Sequence, residues 1–373
     1  MQETDSQPSS ETGRWTSRRQ FIAGASAATV AGLAGCGQFG GGSGSENTVR
    51  IASFPLDVDG VVFDYIDTEG ILDEHLDGTG WDYEMTLTFE DVPQFVSGNA
   101  DIAGISEIEA CLIGVEQEIS TSVFGRRANA YWGPLVKTGG EYDPETTGGV
   151  QQTLDLIADE GANFGIGGWG LGNIPAEKIA LDQAYGLELA EEGGDFSVVT
   201  AEIPAISQLI DQGDLAVGLS APSFGAAPYL LDDALKPLFW ELDKADELGL
   251  GLPPLTGLTT RQSFMDENEE VVKAVFDATN EGYSWFYEDA VEDVPGNDEW
   301  MQKLGAGTQE EAEYIVRWQK NDDVKYGTEN IPRPKDITFT QDRIGDSRDF
   351  LNAAEEIGFI QSGWEEYVEM VTI

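Results

Sequence analysis

Basic residues are scarce in this chain: 20 Lys and Arg stand against 69 Asp and Glu, a formal net charge of −49 over 373 residues. The acidic excess runs along the chain and is not gathered in a tail. No basic patch could overcome such a field, which excludes a nucleic-acid partner. Histidine occurs once, as His75 in the acidic run Leu72–Asp77, and reads as a solvated surface residue. Cysteine occurs twice, at Cys36 and Cys111. One histidine without a cysteine cluster excludes a zinc site of usual composition, and it leaves a Ser-His-Asp triad a single candidate base. Cys111 falls in a helical pattern as a small apolar residue. A disulfide between the two is formally open, but the leader gives Cys36 another role. A single-sign surface this dense repels itself in dilute buffer, and concentrated salt screens that repulsion. The charge therefore reads as adaptation to high salt.

What the chain does have begins with a leader. Ser17-Arg18-Arg19-Gln20-Phe21 has the pattern of a twin-arginine export signal. The apolar run Ile22–Ala34 behind it is too short for a comfortable membrane span. It ends in Leu33-Ala34-Gly35-Cys36, a lipobox pattern with Cys36 as the residue to be lipidated. Residues 1–35 are therefore a targeting segment. The Gly/Ser-rich residues 36–47 form a flexible tether.

The folded part is organised around Gly161–Gly186. A short apolar run enters a glycine-rich loop, Asn173 can cap a helix start, and Pro175 suits its first turn. Ala176, Ile179, Ala180, Ala184 and Leu187 recur at helical spacing, and Gly186 stops the helix. Such a helix start offers free N–H groups to an anionic or polar ligand. The order strand–helix–strand–helix–strand occurs twice, about a hundred residues apart. Val92-Pro93 opens a helix leading to Asp101–Ser106, and Ile203-Pro204 opens one leading to Asp214–Ser220.

This repeat predicts an α/β fold of two similar lobes with a cleft between them. Residues 48–138 and 255–373 make the first lobe, and 139–254 the second. Strands are expected at Ser120–Gly125 and Trp132–Lys137 in the first lobe, with Arg126-Arg127 on the turn between them. Helices are expected over Asp266–Glu288, Asp298–Lys320, Asp346–Ile357 and Gly363–Met370, the tail packing on the first lobe.

With these pieces placed, the chain resembles a substrate-binding protein of an ABC importer. The resemblance is to the type II periplasmic-binding fold, in the nitrate/sulfonate/taurine and thiamine-precursor group. It is carried by Val49-Arg50-Ile51-Ala52-Ser53, by the strand ends Asp101–Ser106 and Asp214–Ser220, by the glycine turn before Pro175, and by Asn268–Val275. It implies two lobes with doubly wound mixed sheets and a helical C-terminal tail. They would close on a small molecule, either an anion or a thiamine-precursor-like ring, and deliver it to a membrane permease. It implies no catalysis, no cofactor and no metal, and a lipid-anchored place on the outer face of the cell membrane. Ligand-facing positions in that group lie on loops after strands. Here those loops hold Phe54, Asp57, Ser106, Glu107, Trp132, Gly168, Trp169, Gly170, Asn173, Glu202, Ser220, Ser223 and Phe224. None of these is an arginine suited to a bidentate grip on an anion; Arg126 and Lys137 are the nearest. Aromatics in these loops equally suit a flat ring or a quaternary amine.

A rival reading is an enzyme. Gly165-Ile166-Gly167-Gly168-Trp169-Gly170 has the Gly-x-Gly-x-x-Gly spacing of a dinucleotide site, with Glu202 as ribose acceptor. Alone that pattern is weak, and Trp169 would crowd a pyrophosphate.

Overall fold

A computed structural model describes residues 47–373. The export signal, the tether up to residue 46 and lipid on Cys36 lie outside the described residues. Among those described, no helix is long and apolar enough to cross a membrane.

Two mixed sheets carry the fold. The first has six strands: β1 (Asn47–Ser53), β2 (Trp81–Leu87), β3 (Ile102–Ala103), β4 (Thr121–Asn129), β10 (Pro254–Arg261) and β11 (Val368–Met370). Their spatial order is β11-β4-β10-β3-β1-β2. The second has β5 (Gly133–Lys137), β6 (Asn163–Ile166), β7 (Ser197–Thr200), β8 (Val217–Ser220) and β9 (Leu235–Pro237), ordered β7-β6-β8-β5-β9. The repeat is visible in the pairing. β2-β1-β3 and β7-β6-β8 are each a parallel trio, flanked by one antiparallel strand, β10 or β5. β1 is buried along its second half, as suits a central strand. β2 alternates half-buried and exposed residues, as suits an edge.

The structure shifts the expected first boundary. β5 pairs with β8 and β9, so Trp132–Lys137 belongs with the second sheet. The chain crosses at Ala130–Trp132, ahead of the expected boundary between residues 138 and 139. It returns through Leu250–Pro253 into β10, and the two crossings are tied where Ala130 N–H donates to Pro253 O at 2.7 Å. Arg126 and Arg127 lie inside β4 and not on a turn, because each guanidinium finds buried partners: Glu107 for Arg126, and Gly257 O and Ser53 Oγ for Arg127 Nε and Nη1. The apolar core runs from one sheet to the other through Tyr131, Trp132, Trp240 and Trp318.

The tail also departs from expectation. The 298–320 stretch forms two helices, Asp298–Leu304 and Gln309–Gln319, parted at Gly305, which has φ +80°. Gly363–Met370 is not a helix. A short 3-10 turn, Trp364–Glu366, leads into β11, whose Val368 and Met370 are buried on either side of exposed Glu369. That strand adds in parallel to the free edge of β4. Nor does the tail pack on the first half alone. The Gln309–Gln319 helix lies against Ala227–Leu231, and Gln341–Glu356 bridges Glu107–Gln117 and Ile174–Ala180. Cys111 is a buried free thiol, and His75 sits against Glu281 at 2.9 Å.

Candidate functional site: a cleft between strand ends

Register fixes which ends of the sheets face each other. β4 is antiparallel to β10, and β10 to β3, so β4 points the same way as β3 and β1. Its C-terminal end, Asn129, is where the chain leaves for β5. Gly133, the first residue of β5, pairs with Ser220, the last of β8. The C-terminal ends of both parallel trios therefore meet along the edge where the chain crosses. Open α/β sheets take ligands just beyond such ends.

The first wall is built around Gly104, which follows β3. A Cβ there would lie 2.5 Å from Arg127 Nη2, 3.2 Å from Ser53 Oγ and 3.3 Å from Asp91 Oδ2, so the close approach of these groups requires glycine. Thr88 N–H donates to Ser53 O at 2.8 Å, tying the loop after β2 to the end of β1. That loop holds Phe89, 63% exposed, which meets Phe54 edge to face with centroids 5.2 Å apart. Asp91 opens the next helix, Asp91–Ser97. Burial pushes its carboxyl up to about 7, and the nearby Glu109 carboxyl adds to the rise. Ser106 caps Glu107–Gln117 through a capping box, accepting from Glu109 N–H and donating its own N–H to Glu109 Oε2 at 2.9 Å.

The second wall follows β6, β7 and β8. Gly170 has open space where a Cβ would be, and Trp169 is half-buried against the core. Asn173 occupies the helix-start position as expected, but its side chain does not cap. Its amide donates to Glu241 Oε1 at 3.3 Å. Glu202, exposed, precedes the Ile203–Gln212 helix. Trp132 is buried and stacks on half-buried Phe224, with centroids 4.6 Å apart.

Seven of the expected residues are buried: besides Ser106, Trp132 and Asn173, already placed, Asp57, Glu107, Ser220 and Ser223 are committed to inward partners. Asp57 is fully buried, accepts from Tyr131 OH and pairs with Arg333. Glu107 is buried under Arg126, whose Nη2 reaches Glu107 Oε1 at 2.7 Å. Ser220 accepts from Ser207 Oγ at 3.1 Å, and Ser223 accepts from Gln319 at 3.5 Å. Desolvation explains the two acids: each lies against a buried guanidinium that must be paired.

Conversely, Phe89, Asp91 and Glu109 belong to the wall and were not singled out from the sequence. The repeat contains the signal. Val92-Pro93 and Ile203-Pro204 open equivalent helices, so Asp91 stands where Glu202 stands in the second half. The dinucleotide reading is not supported by the geometry: Gly165 lies within β6, and the helix begins only at Ile174. A cavity of about 420 Å³, lined in part by Lys137, Tyr142, Asn163 and Asp214, lies at the opposite end of the second sheet, where β6 begins.

No family model matches the chain, and no curated protein matches it. Among solved structures the fold is similar to the alkanesulfonate-binding protein SsuA from Xanthomonas axonopodis pv. citri bound to MOPS. That match has 10% identity and TM-score 0.61, and covers 88% of this chain and 100% of the other. The aliphatic sulphonate binding protein SsuA from Escherichia coli matches at 10% identity and TM-score 0.59, over 85% and 89%. The nitrate-binding protein NrtA from Synechocystis PCC 6803 matches at 14% identity and TM-score 0.58, over 87% of each chain. The likeness establishes an α/β periplasmic-binding fold with two mixed sheets.

Proposed function

We propose that this chain captures a small molecule between its two halves, which act as closing lobes, and hands it to a membrane permease of an ABC importer. The observation that carries the reading is the convergence of two equivalent sets of strand ends across two chain crossings. Glycine loops, helix starts and aromatic side chains line the gap, which is the composition of a small-molecule site. Periplasmic solute-binding proteins of similar fold support it. In this reading Phe54, Ser106, Trp132, Gly168–Gly170 and Glu202 lie on the walls. Lipid on Cys36 holds the protein at the outer face of the membrane.

The test uses tryptophan fluorescence, since closure changes the surroundings of Trp169. Titration with small solutes should give a saturable change. Trp169→Ala should weaken binding at least tenfold with a near-normal melting point. A large fall in stability with unchanged affinity would make Trp169 a core residue and remove it from the wall.

A further inference from the structure

We infer that residues 321–334 form a strap, a third connection between the two halves, fixed to the first and clasped to the second, and that this clasp limits how far the halves part. The inference rests on the reading of the halves as moving lobes and adds what restrains them. Residues 320–340 run irregularly from the Gln309–Gln319 helix to the Gln341–Glu356 helix. Irregular stretches that long inside a compact domain are uncommon and usually functional.

On the first half the strap is tied by buried groups. Arg333 pairs with Asp57 and Asp59, and its carbonyl accepts from Tyr287 OH. Ile331 O accepts from Asn129 Nδ2 at 2.7 Å, and Pro332 O accepts from Asn129 N–H at 2.9 Å. Asn129 ends β4, and the next N–H, that of Ala130, donates to Pro253 O. Successive residues of an extended chain face opposite sides. The outgoing crossing thus runs between the returning crossing and the strap, and three segments span the halves side by side. Pro332 and Pro334 flank Arg333 and fix two φ angles of the strap.

On the second half the contacts are polar and nearer to solvent. Asp243 accepts from Glu329 N–H at 3.0 Å, from Asn330 N–H at 2.8 Å and from Asn330 Nδ2 at 3.2 Å. Lys325 pairs with Asp233 at 2.7 Å, and Tyr326 OH donates to the same carboxylate at 2.8 Å. Tyr326 O accepts two indole N–H groups, from Trp240 at 3.1 Å and Trp318 at 2.8 Å. Tyr326 itself is held at φ +55°, a left-handed conformation that is costly for a bulky side chain. A residue stays there only where its surroundings over-determine it.

The two ends are therefore unequal. Arg333 is 1% exposed in a buried ion-pair cluster, which is costly to break. Lys325 and Asp233 are 40% and 56% exposed, and pairs of that kind hold weakly. When the halves part, the clasp yields first and the strap stays with the first half. Release relieves the backbone at Tyr326, while the Asp243 and indole bonds oppose it. Such a balance makes the strap an element with two arrangements, fastened and released.

The test is pulsed electron spin resonance on the full chain at molar KCl, with spin labels at Glu69→Cys in the first half and Glu191→Cys in the second, both exposed positions. Cys36→Ser removes the other accessible thiol, since Cys111 is buried. The parent should give a narrow distribution of label separations. Asp243→Ala, which takes the acceptor from three donors, should shift that distribution to longer separations and broaden it, with a near-normal melting point. Tyr326→Phe, which removes only the bond to Asp233, should shift it less. An Asp243→Ala distribution that coincides with the parent's overturns the strap, as does a parent distribution already as broad as the variant's. If Asp243→Ala does not fold, the double variant Lys325→Met, Tyr326→Phe is measured by the same criteria. Ligand capture is decided separately by the tryptophan titration, so failure of the strap leaves that reading standing.

Discussion

Arg333 reaches back across 274 residues to Asp59, its Nη1 2.5 Å from the carboxylate Oδ1, and its other amino nitrogen pairs with Asp57. The Tyr283 hydroxyl is 3.0 Å from Nη1, and Tyr131 donates to Asp57. Burial works against the guanidinium charge, but Asp59 and Asp57 hold its pKa well above the ordinary range. Burial likewise opposes ionisation of Asp59, and Arg127 with Arg333 brings its pKa below the usual carboxylate value. Arg333 thus ties a late segment of the chain to the helix Asp57–Glu69, which follows β1.

Arg333→Met should therefore be severely destabilising. It leaves two buried aspartates against Arg127 alone, and breaking a buried pair on one side costs about 3–5 kcal/mol. Denaturant unfolding at constant molar KCl measures it. The exposed Lys137–Asp211 pair, 3.4 Å apart, is the control: Lys137→Met should change stability by less than about 1 kcal/mol. Equal effects of the two substitutions would refute the tie.

Glu177 and Glu241 predict a pH dependence of the opposite sign from that of paired acids. Both are fully buried, and burial holds both carboxyls well above the usual range, with Glu177 raising Glu241 further. Neither oxygen of Glu177 has a hydrogen-bond partner. The folded state keeps its proton while the unfolded chain releases it above about pH 4.3. Their contribution is thus fully present below that pH and is lost as pH rises toward the folded pKa. Glu177→Gln, which needs no proton, should match the parent near pH 4. At pH 8 it should be more stable by on the order of 1–3 kcal/mol. Parallel stability curves for the two proteins would contradict this.

The charge of −49 predicts that stability depends on salt. The screening length is about 3 Å at 1 M and about 30 Å at 0.01 M, so repulsion among exposed carboxylates grows steeply on dilution. A melting series in KCl from molar to millimolar should lower the midpoint by on the order of 10 °C, several kcal/mol for a chain of this size. A midpoint that does not move would mean the acidic surface is no salt adaptation.

Cys36→Ser should release the exported protein into the medium while leaving its fold unchanged. Fractionation of cells against medium reads the outcome directly. Retention of the variant at the membrane would rule out the lipid anchor.

The amino-acid sequence alone determined the features that depend on neighbours along the chain. Strand–helix alternation, prolines at helix starts such as Pro204, left-handed glycines at helix ends such as Gly186 and Gly213, and the duplicated unit are all of this kind. They carried the two-sheet fold, and they supplied Trp169 and Glu202 as candidates for the cleft. Tertiary structure decided what depends on partners far away. Arg126-Arg127 reads as a turn until Glu107, Ser53 and Gly257 are brought to it; paired, the two arginines sit inside a buried strand. Residues 368–370 became a strand because β4 offered an open edge, which no local periodicity announces. Asp57 and Asp91 both stand at helix starts after strands, and nothing local tells them apart. Arg333 draws Asp57 into the interior, while Asp91 has no cation of its own and stays at the wall. The physical reason is desolvation: a carboxylate is buried in its charged form only where a counter-charge arrives, here from Arg333 far along the chain, and without one it keeps its proton, as Glu177 and Glu241 do.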